Sequence, residues 1–350
     1  MTKIIIDGRS MTPQLSGIGR YSLELIKAYV DKYGEDNVNI LVNRTIPYLP
    51  YKCNVVKYKR HSIIDNVKFT LFISRCDYDI FHSTDLTGTF WHAKGRKHIV
   101  TCHDLMYFMV PDFFRLNVVK TFLRKLKLKI LFYGIVKDAD EIVSVSETTR
   151  CDLRNIYGVN SFVLREGVNT IKTEVQSESY KNLTKGSFFL YVGLGMKHKN
   201  VDFLVRSFLK SDTDKKLVIA GKGHTIVESD KIIYTGYIED KYLDFLYRNC
   251  AAFIFPSKYE GFGLPILEAL SYHCRVFSSN AGSLGEFSQD MVKFFDPYSE
   301  IELIRLIEQC DSFEVDCAKI DAYLEHFNWK DIWNEFFNHN LKVKMEKPTR

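Results

Sequence analysis

The sequence predicts an α/β protein with two doubly wound, Rossmann-like domains. Short apolar segments rich in β-branched and aromatic residues alternate with longer segments whose apolar residues recur at helical spacing. This alternation is typical of parallel sheets covered by helices on both faces. The chain has 350 residues, more than one hydrophobic core usually supports, so two domains are expected. A polar, irregular stretch over residues 169–186 is the predicted linker between them.

The first domain begins with a strand over residues 3–7, followed by residues 19–33, whose apolar residues recur at helical spacing. Its further expected strands are residues 38–42, 80–82, 97–102 and 141–145. The second domain repeats the alternation, with strands expected over residues 188–192, 216–220, 232–235, 251–255 and 275–278. An amphipathic helix is expected over residues 329–343.

The composition indicates a soluble globular protein, with 46% hydrophobic and 26% charged residues. A net charge of +5 is too weak to indicate nucleic acid as a partner. The eight cysteines are scattered without a C-x-x-C motif, which favours a reducing cytoplasm. Residues 3–7 predict a core strand where a secretion signal would need a longer apolar stretch, and no segment is long enough to span a bilayer.

Residues 256–269, PSKYEGFGLPILEA, carry the most chemical information. They follow a predicted buried strand, and Pro265 suits the first turn of a helix, so Gly261 and Gly263 lie where the backbone must turn sharply. The exposed amides of a helix N-terminus attract phosphate, and such a turn lies at the ligand-binding edge of a parallel sheet. The segment therefore predicts a phosphate site, and the alternative is an ordinary strand-turn-helix.

Two carboxylates flank this turn. Glu260 precedes it, and Glu268 follows about one helical turn inside the helix. A diphosphate would repel both anions unless they bind neutral hydroxyls. We therefore expect the turn to hold a sugar nucleotide, and we assign Glu260 to its transferred sugar and Glu268 to its ribose diol. Glycoside hydrolysis would instead need two carboxylates on either side of one glycosidic bond.

A second loop follows the strand over residues 188–192 and contains Lys197, His198 and Lys199. Three potentially cationic side chains before a helix could neutralise a diphosphate without a metal. The alternative is a solvated loop.

The segment SGIGRY over residues 16–21 lacks the third glycine of the dinucleotide fingerprint and begins about nine residues after its strand, so an NAD site is rejected. We expect a flexible loop in which Gly17 and Gly19 let the backbone of the first domain approach a ligand. The alternative is a glycine-rich loop that leads into a helix.

Polar residues also stand at two strand ends of the first domain. His103 and Asp104 follow the strand over residues 97–102, where an imidazole can bind sugar hydroxyls; a structural histidine and a capping aspartate are the alternative. Asp77 and Asp79 resemble a metal-binding D-x-D pair, but the segment continues directly into a strand. We interpret it as the start of that strand and expect no metal.

Residues 115–137 combine apolar residues at helical spacing with seven basic residues and no acidic ones. Such a basic amphipathic helix can lie on an anionic membrane surface. A helix that covers the sheet and exposes a solvated cationic face is an equal alternative.

With these segments in order, the chain resembles the retaining glycosyltransferases of family 4, which have the GT-B fold and include many bacterial mannosyltransferases. The likeness spans nearly the whole length. Glu260 and Glu268 match the family's pair of glutamates separated by seven residues. The segments that carry the resemblance are SGIGRYSLEL, TCHDL, EIVSVSETTR, REGVN, YVGLGMKHKN, GYIED and FPSKYEGFGLPILEAL.

The resemblance implies two Rossmann-like domains facing across a cleft. Residues 1–167 would form the acceptor-side domain, residues 168–327 would bind the nucleotide sugar, and a terminal helix over residues 328–345 would cross back to the first domain.

The resemblance also implies roles for single residues. Glu260, Lys199 and His103 would be the catalytic group, with Glu260 and His103 on the donor sugar. The donor diphosphate would meet Gly17, Gly19, His198, Lys199 and the backbone amides of Phe262, Gly263 and Leu264. Glu268 would bind the ribose, and the backbone near Ile238 would bind the base.

Two positions depart from the family pattern. Many members have Arg before the lysine at position 199, whereas this chain has His198, so the phosphate charge would be less neutralised or binding would depend on pH. Residues 271–274, SYHC, replace a small glycine-containing turn.

The implied reaction is retaining transfer of a hexose by front-side attack, without metal or other cofactor. GDP-mannose is the preferred donor, while GDP-fucose, dTDP-rhamnose and UDP-hexoses stay open. The acceptor would be a hydroxyl of a growing bacterial glycan linked to undecaprenyl diphosphate, on the cytoplasmic side of the plasma membrane. A sugar-nucleotide 2-epimerase of the same architecture and a non-catalytic sugar-nucleotide sensor are the alternatives.

Overall fold

The computed structural model describes residues 1–111, 113–114, 116–169 and 183–346. They form two compact units: Met1–Glu166 together with the chain from Trp329 onward, and Gly167–Asn328. Each unit is built around its own parallel sheet. Residues 170–182, within the predicted linker, lie outside the described residues.

The sheet of the first unit consists of β1 (Ile4–Asp7), β2 (Val38–Val42), β3 (Cys53–Val55), β4 (Ile80–Ser83), β5 (Lys97–Cys102), β6 (Glu141–Ser144) and β7 (Phe162–Val163). Its strands run parallel in the spatial order β3-β2-β1-β4-β5-β6-β7. The five predicted strands are present. The sequence does not predict β3 and β7, because two or three residues are too few to show a periodic pattern.

The helices of this unit before the linker are α1 (Gly17–Tyr33), α2 (Ile63–Ser74), α3 (Met106–Met109), α4 (Val118–Asp138) and α5 (Glu147–Tyr157). Each of the four longer helices begins after a residue whose side-chain oxygen accepts a hydrogen bond from the third helical N–H. Such a contact satisfies an otherwise unpaired donor of the first turn. The capping residues are Ser16, Ser62, Asn117 and Ser146.

The second sheet consists of β8 (Phe188–Val192), β9 (Lys216–Ala220), β10 (Ile232–Gly236), β11 (Ala252–Phe255), β12 (Val276–Ser279) and β13 (Val292–Phe295). Its strands also run parallel, in the order β10-β9-β8-β11-β12-β13. The five predicted strands are present here too. The edge strand β13 is not predicted, because Lys293 interrupts its short apolar segment.

Both sheets have the strand order of a doubly wound Rossmann fold, with the first extended by β7. The order reverses between β1 and β4 in the first unit and between β8 and β11 in the second. Ligands of such sheets bind outside the carboxyl ends of the strands at this switch point. The loops that follow β1, β4, β8 and β11 are therefore the places where a site is expected.

The helices of the second unit are α6 (Val201–Lys210), α7 (Asp240–Asn249), α8 (Leu264–Ser271), α9 (Glu300–Glu308) and α10 (Cys317–Leu324). The unusual turn after α8 closes that helix. His273 has a left-handed backbone with φ of 56° and donates its N–H to the Leu270 carbonyl, while Cys274 donates to Ala269. These paired bonds form a Schellman motif, in which glycine usually takes the left-handed position. The SYHC segment is thus a helix terminus with histidine in place of glycine.

The last described helix, α11 (Trp329–Glu346), belongs to the first unit. Its buried aromatic side chains pack against α1. The ring centroids of Trp333 and Tyr21 lie 5.4 Å apart, and those of Phe337 and Tyr29 lie 5.3 Å apart. Large buried aromatic contacts of this kind fix the helix on that unit.

The eight cysteines are all free thiols. Within the described ranges, none of the helices is both long and apolar enough to cross a membrane.

Candidate functional site

The N-terminus of α8 is shaped by one glycine. Gly263 precedes the helix with φ of 119°, and a Cβ there would lie 2.8 Å from Leu284 Cδ2 and 3.1 Å from a ring carbon of Phe287. An L-residue would be strained both by this dihedral angle and by these contacts. Pro265 lies in the first turn, where its missing N–H costs nothing. The sharp turn predicted at Gly261 and Gly263, ahead of Pro265, is therefore present, and of the two glycines it is Gly263 that has the positive φ.

Three consecutive backbone amides, those of Phe262, Gly263 and Leu264, lead into this helix. In the part of the chain that the structure describes, no group accepts a hydrogen bond from the N–H of Phe262, Gly263 or Leu264. The Ser283 hydroxyl is the hydrogen-bond donor to the carbonyl oxygens of Glu260 and Phe262, at 2.9 and 3.0 Å. Unpaired N–H groups at a helix N-terminus, together with its dipole, form a ready anion site.

Lys199 and Glu260 meet beside this turn. The Nζ of Lys199 lies 2.7 and 2.8 Å from the two carboxylate oxygens of Glu260, with the side chains 20% and 10% exposed. The N–H of Lys258 donates to the His198 carbonyl at 2.7 Å, which ties the loop after β11 to the loop after β8. The structure thus brings two predicted catalytic residues together, and an incoming phosphate would compete with Glu260 for the ammonium.

Glycines let the loops after β8 and β9 touch through their backbones. A Cβ on Gly195 would lie 1.9 Å from the Gly223 carbonyl oxygen, and one on Gly221 would lie 1.8 Å from that of Gly193. No side chain could replace hydrogen at either position without moving backbone. The sequence analysis identified the first loop but not Gly221 and Gly223, whose only signal is a G-K-G segment after a strand.

Burial of His198 disfavours it as the third cation of this loop. Its side chain is buried, and burial lowers the pKa of its imidazole; the Glu260 charge opposes this shift only in part, and the nearby Lys199 ammonium reinforces it. The neutral ring is therefore favoured near neutral pH. The role of His198 in donor binding stays a prediction, but as a neutral side chain.

The roles of Glu268 in binding the ribose and of the backbone near Ile238 in binding the base stay predictions. Glu268 lies on the second turn of α8, where the Tyr247 hydroxyl donates to its Oε2 at 3.2 Å. Burial and then the Glu268 charge raise the pKa of Tyr247, so this hydroxyl keeps its proton. Ile238 is half-buried between β10 and α7. The sequence analysis did not identify Tyr247, which carries no motif.

Gly17 and Gly19 do not form the flexible loop that was expected. They make the first turn of α1, where the Ser16 hydroxyl accepts a hydrogen bond from the Gly19 N–H at 3.2 Å. Gly19 is packed so closely that a Cβ would lie 2.6 Å from the Tyr48 hydroxyl. The capping serine explains this difference, because it starts the helix ahead of the glycines. Their contact with a donor diphosphate stays a prediction.

His103 follows β5 and is buried with both ring nitrogens engaged. Its Nδ1 lies 3.0 Å from Oε1 of Glu166, and its Nε2 lies 2.9 Å from the Thr84 carbonyl oxygen. Burial lowers the pKa of His103, but the hydrogen bond and charge of Glu166, together with the Asp85 charge and the Thr84 carbonyl, outweigh it, so the net shift is upward. The predicted contact with a donor sugar therefore requires that one nitrogen exchange its partner.

A buried ion pair at the carboxyl end of β1 escaped the sequence analysis. Arg9 and Asp7 are fully buried, and the guanidinium Nε and Nη2 lie 2.8 and 2.7 Å from the two Asp7 oxygens. The guanidinium also lies 3.5 Å from the ring centroid of Phe69. Burial raises the pKa of Asp7, but Arg9 lowers it further, so the net shift is downward. The only sequence signal is D-G-R directly after a strand.

The acidic residues considered as metal ligands have other partners. Asp77 pairs with the Lys3 ammonium, and an Asp79 oxygen accepts a hydrogen bond from the backbone N–H of Lys3 at 2.7 Å. Both aspartates directly precede β4, in agreement with the interpretation of this segment as the start of a strand. In the described residues, the group nearest to a metal-binding set is His92, His98 and Asp138, whose ligand atoms lie within 4.8 Å of one another.

These three side chains lie at the amino end of β5 and already bind one another. Asp138 oxygens lie 2.7 Å from Nδ1 of His98 and 2.9 Å from Nδ1 of His92. The hydrogen bonds account for the cluster as a structural network.

The outer face of α4 is exposed and strongly apolar. One face of the helix packs on the sheet through Leu128, Leu131, Phe132 and Ile135. The opposite face exposes apolar side chains between exposed basic ones. The exposed apolar residues of α4 are Val118, Val119, Phe122, Leu123, Leu126, Ile130 and Tyr133.

Two parallel sheets with Rossmann strand order, each in its own unit, are the architecture of the GT-B class of glycosyltransferase folds. The sequence model of the Glycosyltransferase Family 4 domain matches residues 15–172, and that of Glycosyl transferases group 1 matches residues 172–312. The chain therefore belongs to the family 4 glycosyltransferases with this pair of domains, which confirms the resemblance and the predicted fold class.

Its relatives include O-antigen enzymes. The chain is 25% identical to the O-antigen chain mannosyltransferase B of Escherichia coli, covering 96% of this chain and 98% of that protein. It is 24% identical to the O-antigen chain mannosyltransferase RfbU of Salmonella typhimurium, covering 68% and 67% of the two chains.

Solved structures share the fold. The sucrose-phosphate synthase of Thermosynechococcus elongatus superposes with a TM-score of 0.77 at 15% identity, covering 99% of this chain and all of that chain. The Anabaena protein HepE in complex with UDP-glucose superposes with a TM-score of 0.72 at 13% identity, covering 98% of this chain and all of that chain.

Proposed function

We propose that the protein transfers mannose from GDP-mannose to a hydroxyl of a growing bacterial surface glycan. Support for the sugar and the pathway comes from the relatives, two of which are O-antigen chain mannosyltransferases. Support for a nucleoside diphosphate donor comes from the second unit, whose switch-point loops present an ammonium and unpaired amides.

The observation that carries this proposal is the joint placement of Lys199 and the α8 N-terminus. Departure of the nucleoside diphosphate leaves negative charge on its phosphate oxygens. The Lys199 ammonium and the free amides of Phe262, Gly263 and Leu264 are fixed positive groups at one sheet edge. Preorganised donors of this kind, aimed at developing charge, usually supply the largest catalytic contribution.

The transfer is proposed to retain the anomeric configuration by front-side attack, with the leaving phosphate taking the acceptor's proton. Both oxygens of Glu260 accept hydrogen bonds from Lys199, which disfavours this carboxylate as a covalent nucleophile. NMR of the product should show the same anomeric configuration as the donor. An inverted product, or a sugar trapped on a side chain, would contradict this mechanism.

Catalysis is proposed to need no metal, because Lys199 and the amides can supply the positive charge that a divalent cation gives in other transferases. Transfer should persist in excess EDTA. Complete loss of activity that Mg²⁺ or Mn²⁺ restores would contradict this and return Asp77 and Asp79 to consideration as ligands.

The acceptor is proposed to be linked to undecaprenyl diphosphate and presented at the inner face of the plasma membrane, with α4 on the lipid surface. Exposed Phe122, Leu123 and Ile130 could enter the interface while neighbouring lysines meet anionic headgroups. Vesicles rich in anionic lipid should bind the protein at low salt, and less so after Lys120→Glu and Lys127→Glu. The matched control carries Lys57→Glu and Lys59→Glu, because these two lysines are exposed in the same unit.

The proposed activity is tested first by a thermal-shift screen of GDP-, UDP- and dTDP-sugars, because a ligand that binds the native state raises Tm. GDP-mannose should give the largest shift, and transfer to a lipid-linked acceptor should release GDP. Conversion of UDP-N-acetylglucosamine without acceptor would instead indicate an epimerase. Donor binding that never releases a nucleoside diphosphate would indicate a sensor.

A further inference from the structure

Strand β5 has a buried histidine–carboxylate pair at each end. Near its amino end, Nδ1 of His98 lies 2.7 Å from Asp138. Directly after its carboxyl end, Nδ1 of His103 lies 3.0 Å from Glu166. Glu166 comes three residues after β7 and is itself buried. Only the second pair lies at the edge of the sheet where ligands of this fold bind.

We propose that Glu166 is a positioning residue for the sugar transfer. Its carboxylate anchors the Nδ1–H of His103, so that the Nε2–H is the ring donor that passes from the Thr84 carbonyl to an oxygen of a substrate bound at this edge of the sheet. This inference rests on the proposed function and adds a residue to its machinery.

The protons of the His103 ring follow from its partners. The Thr84 carbonyl can only accept, so Nε2 carries a hydrogen. The carboxylate of Glu166 holds a second hydrogen on Nδ1, and the ring is therefore the imidazolium. The bond to Glu166 joins opposite charges, whereas the Thr84 carbonyl is neutral, so the contact with Thr84 is the one that yields.

The residues around His103 hold its ring in place, so that only the partner of Nε2 can change. The Tyr21 ring from α1 packs edge-on against it, with centroids 4.8 Å apart. The Thr149 hydroxyl from α5 donates to the His103 carbonyl at 3.1 Å and holds the backbone. The charged groups that face the imidazole are Glu166 and Asp85, and both favour its protonated form.

The test compares pH profiles of transfer from GDP-mannose. Glu166→Gln keeps the size of the side chain but removes its charge, so His103 should lose its proton at a lower pH. We expect kcat/KM to fall about 10-fold near neutral pH, as for loss of a hydrogen bond to a charged group. The alkaline limb of the profile should also move to lower pH. Glu166→Asp, which keeps the charge, should lower kcat/KM while leaving that limb near its original position.

Two controls separate positioning from stability. Asp138→Asn breaks the matched pair at the other end of β5, and should lower Tm without moving the pH profile or kcat/KM. In a His103→Gln background, adding Glu166→Gln should cause no further loss, because Glu166 acts through His103.

Each contrary result has a distinct meaning. Suppose that the wild type transfers mannose and that both Glu166 variants keep its kcat/KM and the alkaline limb of its pH profile. This result would overturn the positioning role of Glu166 alone. An equal loss from Glu166→Gln with and without His103 would overturn it as well. Absence of any hexose transfer by the wild type would overturn the proposed function itself, and the inference with it.

Discussion

Replacement of Lys199 by alanine should remove the largest side-chain contribution to catalysis. Its Nζ lies 2.7 and 2.8 Å from Glu260, beside the free amides of the α8 N-terminus. A unit charge about 4 Å from a phosphate charge, at an effective dielectric constant of about 20, interacts with about 4 kcal/mol. If about 3 kcal/mol of this appears only as the diphosphate departs, Lys199→Ala lowers kcat by about 10².

The assay measures transfer of labelled mannose from GDP-mannose to the acceptor at saturating donor and at low donor. Because the interaction strengthens in the transition state, kcat and kcat/KM should fall by the same factor. Lys197→Ala is the matched control: it removes an exposed lysine two residues earlier in the same loop and should leave kcat unchanged.

Loss of stability must be separated from loss of catalysis. Lys199→Ala leaves the Glu260 carboxylate, whose side chain is only 10% exposed, without its partner, so the variant should also melt at a lower temperature. Lys199→Ala with Glu260→Gln removes both charges and should recover part of that loss. A folded Lys199→Ala protein with wild-type kcat would refute the catalytic role assigned to the ammonium.

Three further predictions concern stability, each measured by urea unfolding. Gly263→Ala should lower the free energy of unfolding by about 1–3 kcal/mol, because φ is 119° and the new Cβ would crowd Leu284; an unchanged midpoint would contradict this. Arg9→Met should cost about 3–5 kcal/mol at pH 7, because it leaves the fully buried Asp7 charge unpaired. The pKa of Asp7 is lowered in the folded protein, so the ionised carboxylate stabilises the fold fully above about pH 4. This stabilisation is lost as the pH falls through the folded pKa. The difference in free energy of unfolding between the wild type and Arg9→Met should therefore narrow in acid. His273→Gly should leave stability unchanged or raise it by up to about 1 kcal/mol, since it relieves a left-handed residue and loses only an exposed contact with Asp321; a clear loss would count against this.

The central strands were predictable because burial on both faces leaves a continuous apolar run. Residues 252–255, AFIF, are all buried in β11, and all four positions of this strand are apolar. The edge strands β3 and β7 were not predictable because they have only three and two residues, and β13 was not predictable because Lys293 interrupts its apolar segment.

The local part of the site was readable from the sequence. Gly263 and Pro265 mark the turn at α8 by their backbone requirements, and this is why the anion site could be placed. Partners distant in sequence were not readable. Burial of His198, the ion pair of Arg9 with Asp7, and the pairing of Glu166 with His103 depend on contacts that only the folded chain creates.

A crystal structure of the protein with GDP-mannose would test the central claim most directly. We expect the diphosphate within hydrogen-bond distance of the amides of Phe262, Gly263 and Leu264, with the Lys199 ammonium turned toward it. A donor bound elsewhere, with those amides facing only solvent, would contradict the account.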